Sequence, residues 1–250
     1  MLSTEEFKAF STEYVMFCHI TTRIPGRADE DLLQKKGGTG FPYLVALDAH
    51  GDVIAKAKDR SVAGFRAMME SGAKFVAIQA KPEAERTLDD RVFVFLHDIE
   101  MEELDLAAAQ AEAAKFEGLS PEQKAQVDGA LLGLEIESLL PRTRDREEAK
   151  RLALVAGKRF SEMWAEGREP KDEAHIQPFF IVMLDYAESE KDAALFEKAL
   201  AKLEATFGEN PRAKGFFDAQ KGRLAKLKAA DDGGVEDHHE GDEGGEKDDH

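Results

Sequence analysis

Every strand-like apolar run in this chain lies before residue 60, and from there to residue 229 the apolar residues recur only at helical spacing. At most three short strands are therefore available, too few for a large sheet. The fold class that follows is an α/β unit joined to an all-α remainder.

The first part spans 1–70. Ser3 precedes Glu6 by three residues, a capping-box spacing, and the helix it opens puts Phe7 and Phe10 on one face. YVMFCHITT (14–22) then changes period and reads as an interior strand. EDLLQKKGG reads as a short helix closed by glycine. PYLVALD and DVIAKAKD read as two strands paired through the DAHG turn, where Gly51 supplies a positive φ. SVAGFRAMMESGAKF follows as an amphipathic helix, with Phe65, Met68 and Met69 at helical spacing. The order predicts a crossover between parallel strands, then an antiparallel hairpin.

The second part, 71–229, predicts helices near 71–81, 86–101, 105–117, 120–139, 145–167, 172–188, 192–207 and 210–228. Ser120 with Pro121, and Asn210 with Pro211, each place a cap before a proline at the first helical position. Short connections between consecutive helices predict stacked antiparallel hairpins, irregular and similar to tetratricopeptide repeats, though no consensus recurs in register. The third part, 230–250, is expected to be disordered: it is rich in Gly, Asp and Glu, and only Val235 offers apolar burial.

The formal net charge is −17, and residues 231–250 hold ten Asp/Glu against the single Lys247. A body that acidic, with no basic stripe carrying interleaved aromatics, argues against nucleic-acid binding. No apolar run reaches the roughly 18 residues of a membrane span. The single cysteine, Cys18, excludes an internal disulfide and any CxxC pair. The sequence shows no Ser-His-Asp set, phosphate loop or zinc spacing, and no cofactor is expected.

The strand YVMFCHITT, the segment LLQKKGGTGFP and the hairpin PYLVALDAHGDVIAK resemble, in that order, the thioredoxin superfamily from its second helix to its last. Gly40-Phe41-Pro42 fits that family's cis-proline loop, and Asp48 to Gly51 fits its hairpin turn. The pattern GxPxxxxxDxxG is common among bacterial extracytoplasmic members. The resemblance covers about 70 residues. It omits the strand and the CxxC-bearing helix start that the family places upstream. Two explanations stand: a reading frame that begins further upstream, or a domain that completes its sheet with a partner. The first is favoured, because a missing central strand exposes apolar sheet surface. Upstream coding sequence is then expected to hold an apolar strand and a CxxC. A start at Met1 would place the chain in the cytoplasm, and an upstream signal segment would place it in the cell envelope.

Candidate sites follow from these readings. Cys18 lies inside the predicted strand and reads as a small core hydrophobe, with a reactive thiol as the alternative. His19, next in the strand, faces the other way, so the two form no nucleophile–base couple. The resemblance implies that Gly40, Phe41 and Pro42 mark a groove for an extended peptide added like a strand; the bland alternative is that they serve the fold alone. His238 and His239 are metal-ligand types among carboxylates, but a tail lacking a second shell reads as solvating. Glu102–Glu103 and Glu147–Glu148 read as solvated charges. Trp164 with Phe160, and Phe179-Phe180 with Met183, read as helix packing. The function expected is a non-catalytic thioredoxin-like module that binds a protein or peptide or self-associates through an exposed sheet edge. The alternative is a truncated thiol–disulfide oxidoreductase.

Overall fold

The computed structural model describes residues 3–19 and 28–232. Contacts divide the chain into two compact units, one within 1–131 and one within 132–250.

In the first unit, α1 (Glu5–Ser11) starts at Thr4, whose side chain accepts the Phe7 N–H at 3.2 Å. The cap thus lies one residue after the expected Ser3. Phe7 and Phe10 are buried against Val62 and Phe65 of α3 (Val62–Gln79), with Phe7 edge-on to Phe65 at 5.8 Å between centroids. α2 (Leu32–Lys35) ends at Gly37, φ +79°. β1 (Val45–Leu47) pairs antiparallel with β2 (Val53–Lys56), Ala46 opposite Ala55, with an irregularity after Ala46. Asp48 builds the turn: its Oδ1 accepts the N–H groups of His50 and Asp52 at 2.8 and 2.9 Å, and Gly51 takes φ +84°.

The expected strand over 14–22 is corrected. Residues 15–19 form no strand, with Val15 99%, Met16 54% and Phe17 68% exposed, and residues 20–22 fall outside the described chain. A strand needs a ladder partner, and among the described residues the only sheet is β1 with β2. The expected parallel crossover is therefore not formed there. The separate helix expected at 71–81 is the C-terminal half of α3, which runs unbroken past residue 70.

α4 (Leu88–Glu100) opens with a Thr87–Asp90 capping box, α5 (Leu106–Ala113) with an Asp105 cap, and α6 (Pro121–Leu139) with a reciprocal Ser120–Gln123 pair. The division between units falls within α6.

The second unit stacks α7 (Arg146–Ala165), α8 (Glu173–Ser189), α9 (Ala193–Phe207) and α10 (Lys214–Asp232) as antiparallel neighbours. A single turn of 3-10 helix, Pro211–Ala213, capped by Asn210, leads into α10. The core holds Ile136, Phe160, Met163, Phe179, Phe180, Met183 and Phe196. Phe160 stacks on Phe179 at 4.8 Å and Trp164 meets Phe180 edge-on at 5.2 Å, so these aromatics pack as expected. A Cβ at Gly157 would lie 2.4 Å from Tyr186 Cβ and 2.8 Å from the Val182 carbonyl oxygen, so glycine sets how closely α7 and α8 approach. Among the described residues no helix is long and apolar enough to cross a membrane.

Candidate functional site

The hairpin and the loop before it form the site to which the sequence pointed. α2 carries the loop in place: Tyr43 Oη donates to the Lys36 carbonyl at 2.7 Å, and Lys36 Nζ lies 3.8 Å from Asp52 across the turn. Burial raises the Tyr43 phenol above its ordinary value, which already lies well above neutral pH, so the hydroxyl is a donor here. Backbone N–H groups, Asp52 first, hold the Asp48 carboxylate below its usual range, which fixes it as the acceptor of the turn.

Within this frame the Phe41–Pro42 peptide is cis. Gly40, Phe41 and Pro42 are all exposed, Phe41 at 69%. A Cβ at Gly40 would meet nothing within 4 Å, whereas one at Gly38 would lie 2.3 Å from Leu33 Cδ1. Glycine is thus required by packing at 38, not at 40.

β1 follows the loop directly. The Ala57 N–H bonds the Leu44 carbonyl at 2.9 Å, and Ala46 pairs with Ala55. By antiparallel alternation, the N–H and C=O of Val45 point away from β2. Among the described residues no strand takes that edge, and Leu47 beside it is 36% exposed.

Cys18 is exposed, which corrects the expectation of a buried core residue: without a strand around it, no sheet face covers the sulfur. His19 is half-buried, with its Nε2 buried and unbonded among the described groups. His238 and His239 lie outside the described residues, within which no group of three or more His, Cys, Asp or Glu converges as a metal set. Glu102 pairs with Lys56 at 2.8 Å, and Glu147 and Glu148 lie exposed at the start of α7, so neither acidic pair forms a dyad.

Two polar constellations in the second unit were not legible in the sequence. His175 sits between Asp172, 2.7 Å from Nδ1, and Glu137, 3.1 Å from Nε2. Burial alone would lower its pKa, yet the two carboxylates outweigh it and the net shift is upward. With both ring nitrogens engaged, the imidazole has no lone pair to offer as a base and acts as a clamp between α6 and α8. Its partners lie 3 and 38 residues away, and only the nearer one follows from helix geometry. The other constellation lines an open cavity of about 310 Å³ that includes Glu169, Lys171, Ile176, Phe180, Lys202 and Thr206. Glu169 is already held by Lys202 at 2.9 Å and Trp164 Nε1 at 2.8 Å, which lowers its pKa and leaves it no unmet bonding demand.

Against known proteins the chain stands without a match: no family model, no curated protein and no solved structure aligns with it.

Proposed function

We propose that the chain is a non-catalytic, thioredoxin-like binding module that takes an extended protein segment as an added strand along β1, beside Phe41 and Pro42. The observation that carries this reading is the outer edge of β1, which no strand among the described residues takes, continuous with an exposed aromatic side chain. Main-chain bonds to Val45 would supply affinity, and apolar contacts with Phe41 and Leu47 would supply selectivity. The single cysteine supports a role in binding, because two-thiol exchange needs a second sulfur.

The test uses peptides selected from a random extended library against the full chain. Val45→Pro deletes the outward N–H and leaves the bonds to β2, so it is expected to abolish binding, and Phe41→Ala is expected to weaken it. Hydrogen exchange at β1 should slow in the complex. Peptides that bind Val45→Pro as tightly as the original chain, with a folded hairpin, would refute the proposal. Insulin reduction by the chain would instead favour the oxidoreductase alternative.

A further inference from the structure

Among the described residues seven large apolar side chains are exposed, and five of them belong to two features of the first unit: Val15, Met16 and Phe17 in the run after α1, and Phe41 and Leu47 beside and on β1. The other two, Val76 and Val155, stand singly on α3 and α7. A lone exposed apolar residue is ordinary, whereas a contiguous group marks a contact surface. Tyr14 anchors the run, packed on Phe10 at 5.0 Å between centroids. From the next residue on, the chain leaves the core: Val15 is 99% exposed and Cys18 is exposed as well. In an extended run Val15 and Phe17 share one face, and Met16 and Cys18 the other. Apolar groups on both faces suit a strand covered on both sides, yet no strand pairs with the run among the described residues.

The same unit holds what such a run lacks. The N–H and C=O of Val45 point away from β2, and no described strand takes them. In its own chain the run lies off this edge, as the exposure of Val15, Met16 and Leu47 shows. Two copies of a chain of net charge −17 repel one another, so contact between them needs stretches free of charge. Residues 14–18 and 41–47 contain none. The flanking carboxylates are held locally: Glu13 by the Arg66 guanidinium at 2.6 and 2.9 Å, and Asp48 by the N–H groups of its own turn. A two-fold arrangement makes the contact twice, each copy giving its run and receiving the other's. Phe17 and Phe41, at about 150–250 Å² each when buried, occur twice in it, and with Val15 and Met16 the apolar area comes to roughly 1,000 Å². That is the low end of specific interfaces and implies a weak dimer.

Resting on the reading of β1 as a strand-accepting edge, we propose that its occupant is residues 14–18 of a second copy, exchanged reciprocally across a two-fold axis. The dimer covers Phe17, Phe41 and Leu47, and any other extended segment reaches β1 only by displacing the run. Cys18 enters the contact with its neighbours, so its thiol is free in dilute solution and covered in the dimer.

Sedimentation equilibrium of the full chain, from micromolar to millimolar concentration, should show reversible growth from one chain mass to two. Raising salt from about 0.01 M to about 0.15 M should tighten the dimer by screening its two acidic bodies, the opposite of an ionic contact. Alkylation of Cys18 should slow several-fold across the same concentration range. Phe17→Glu and Val45→Pro should each restore the monomer, while an equal mixture of the two variants should regain association, since the intact edge of one receives the intact run of the other. Protection of the Ala57 amide, bonded to the Leu44 carbonyl, checks that the hairpin persists in each variant. A chain that stays monomeric, or a dimer that survives either variant, would overturn the inference. A monomer that still binds library peptides in a Val45-dependent way would sink the second-copy occupant alone, whereas a dimer indifferent to Val45→Pro, with no peptide bound, would sink the strand-accepting edge as well.

Discussion

At the scale of single residues, chemistry is decided by what covers a group. Cys18 shows this. An apolar, β-branched neighbourhood argues for burial, since free cysteine is among the most buried residue types. In the structure its sulfur is exposed. It should therefore react with a thiol reagent in the native protein at a rate close to that in denaturant, and strong protection in the native state would show that a surface covers it. Phe41 makes the complementary point. Its place in the sequence marked it, and the structure leaves it 69% exposed, as the proposed binding role requires.

At the scale of elements, the starts and stops of helices were legible because capping is local. Ser120, Pro121, Asn210, Gly37 and Gly51 each act through backbone groups within a few residues, so the sequence alone carries their meaning. The stretch 14–19 was misread for the opposite reason. A strand is defined by its neighbour, and periodicity describes only one side of that pair. Close approach of two helices is equally non-local, and it separates glycines that look alike in sequence. Gly157→Ala should cost about 1–3 kcal/mol by forcing α7 off Tyr186, although alanine is the better helix former. Gly129→Ala in α6, where a Cβ would meet nothing within 4 Å, should stabilise by about 0.5–1 kcal/mol. Urea unfolding of both variants gives the two signs, and a gain at both positions would mean that α7 and α8 are less closely packed than described.

At the scale of the whole molecule, the two units carry histidines with opposite proton linkage. His97 in the first unit is buried and stacked on Phe75 at 4.0 Å between centroids; burial lowers its pKa, Lys58 adds to that, and Glu100 opposes it. His175 in the second has its pKa raised by Asp172 and Glu137 against its burial. Unfolded, both titrate near about pH 6.5. His175 thus contributes stability that is complete below that value and is lost as pH rises through its higher folded pKa. His97 works in reverse, because the folded ring resists the proton that the unfolded ring accepts, so its unit weakens as pH falls. Trp164, the chain's single tryptophan, reports on the second unit, where its Nε1 donates to Glu169. Between about pH 8 and 6, the denaturant midpoint read from Trp164 should rise on acidification, and His175→Gln should flatten the rise. Over the same range, the opening free energies of α4 amides, from hydrogen exchange corrected for its intrinsic pH dependence, should fall, and His97→Leu should remove that slope. A Trp164 midpoint that falls with acidification in the original chain would mean that the carboxylates do not hold the His175 proton, and the clamp between α6 and α8 would have to be abandoned.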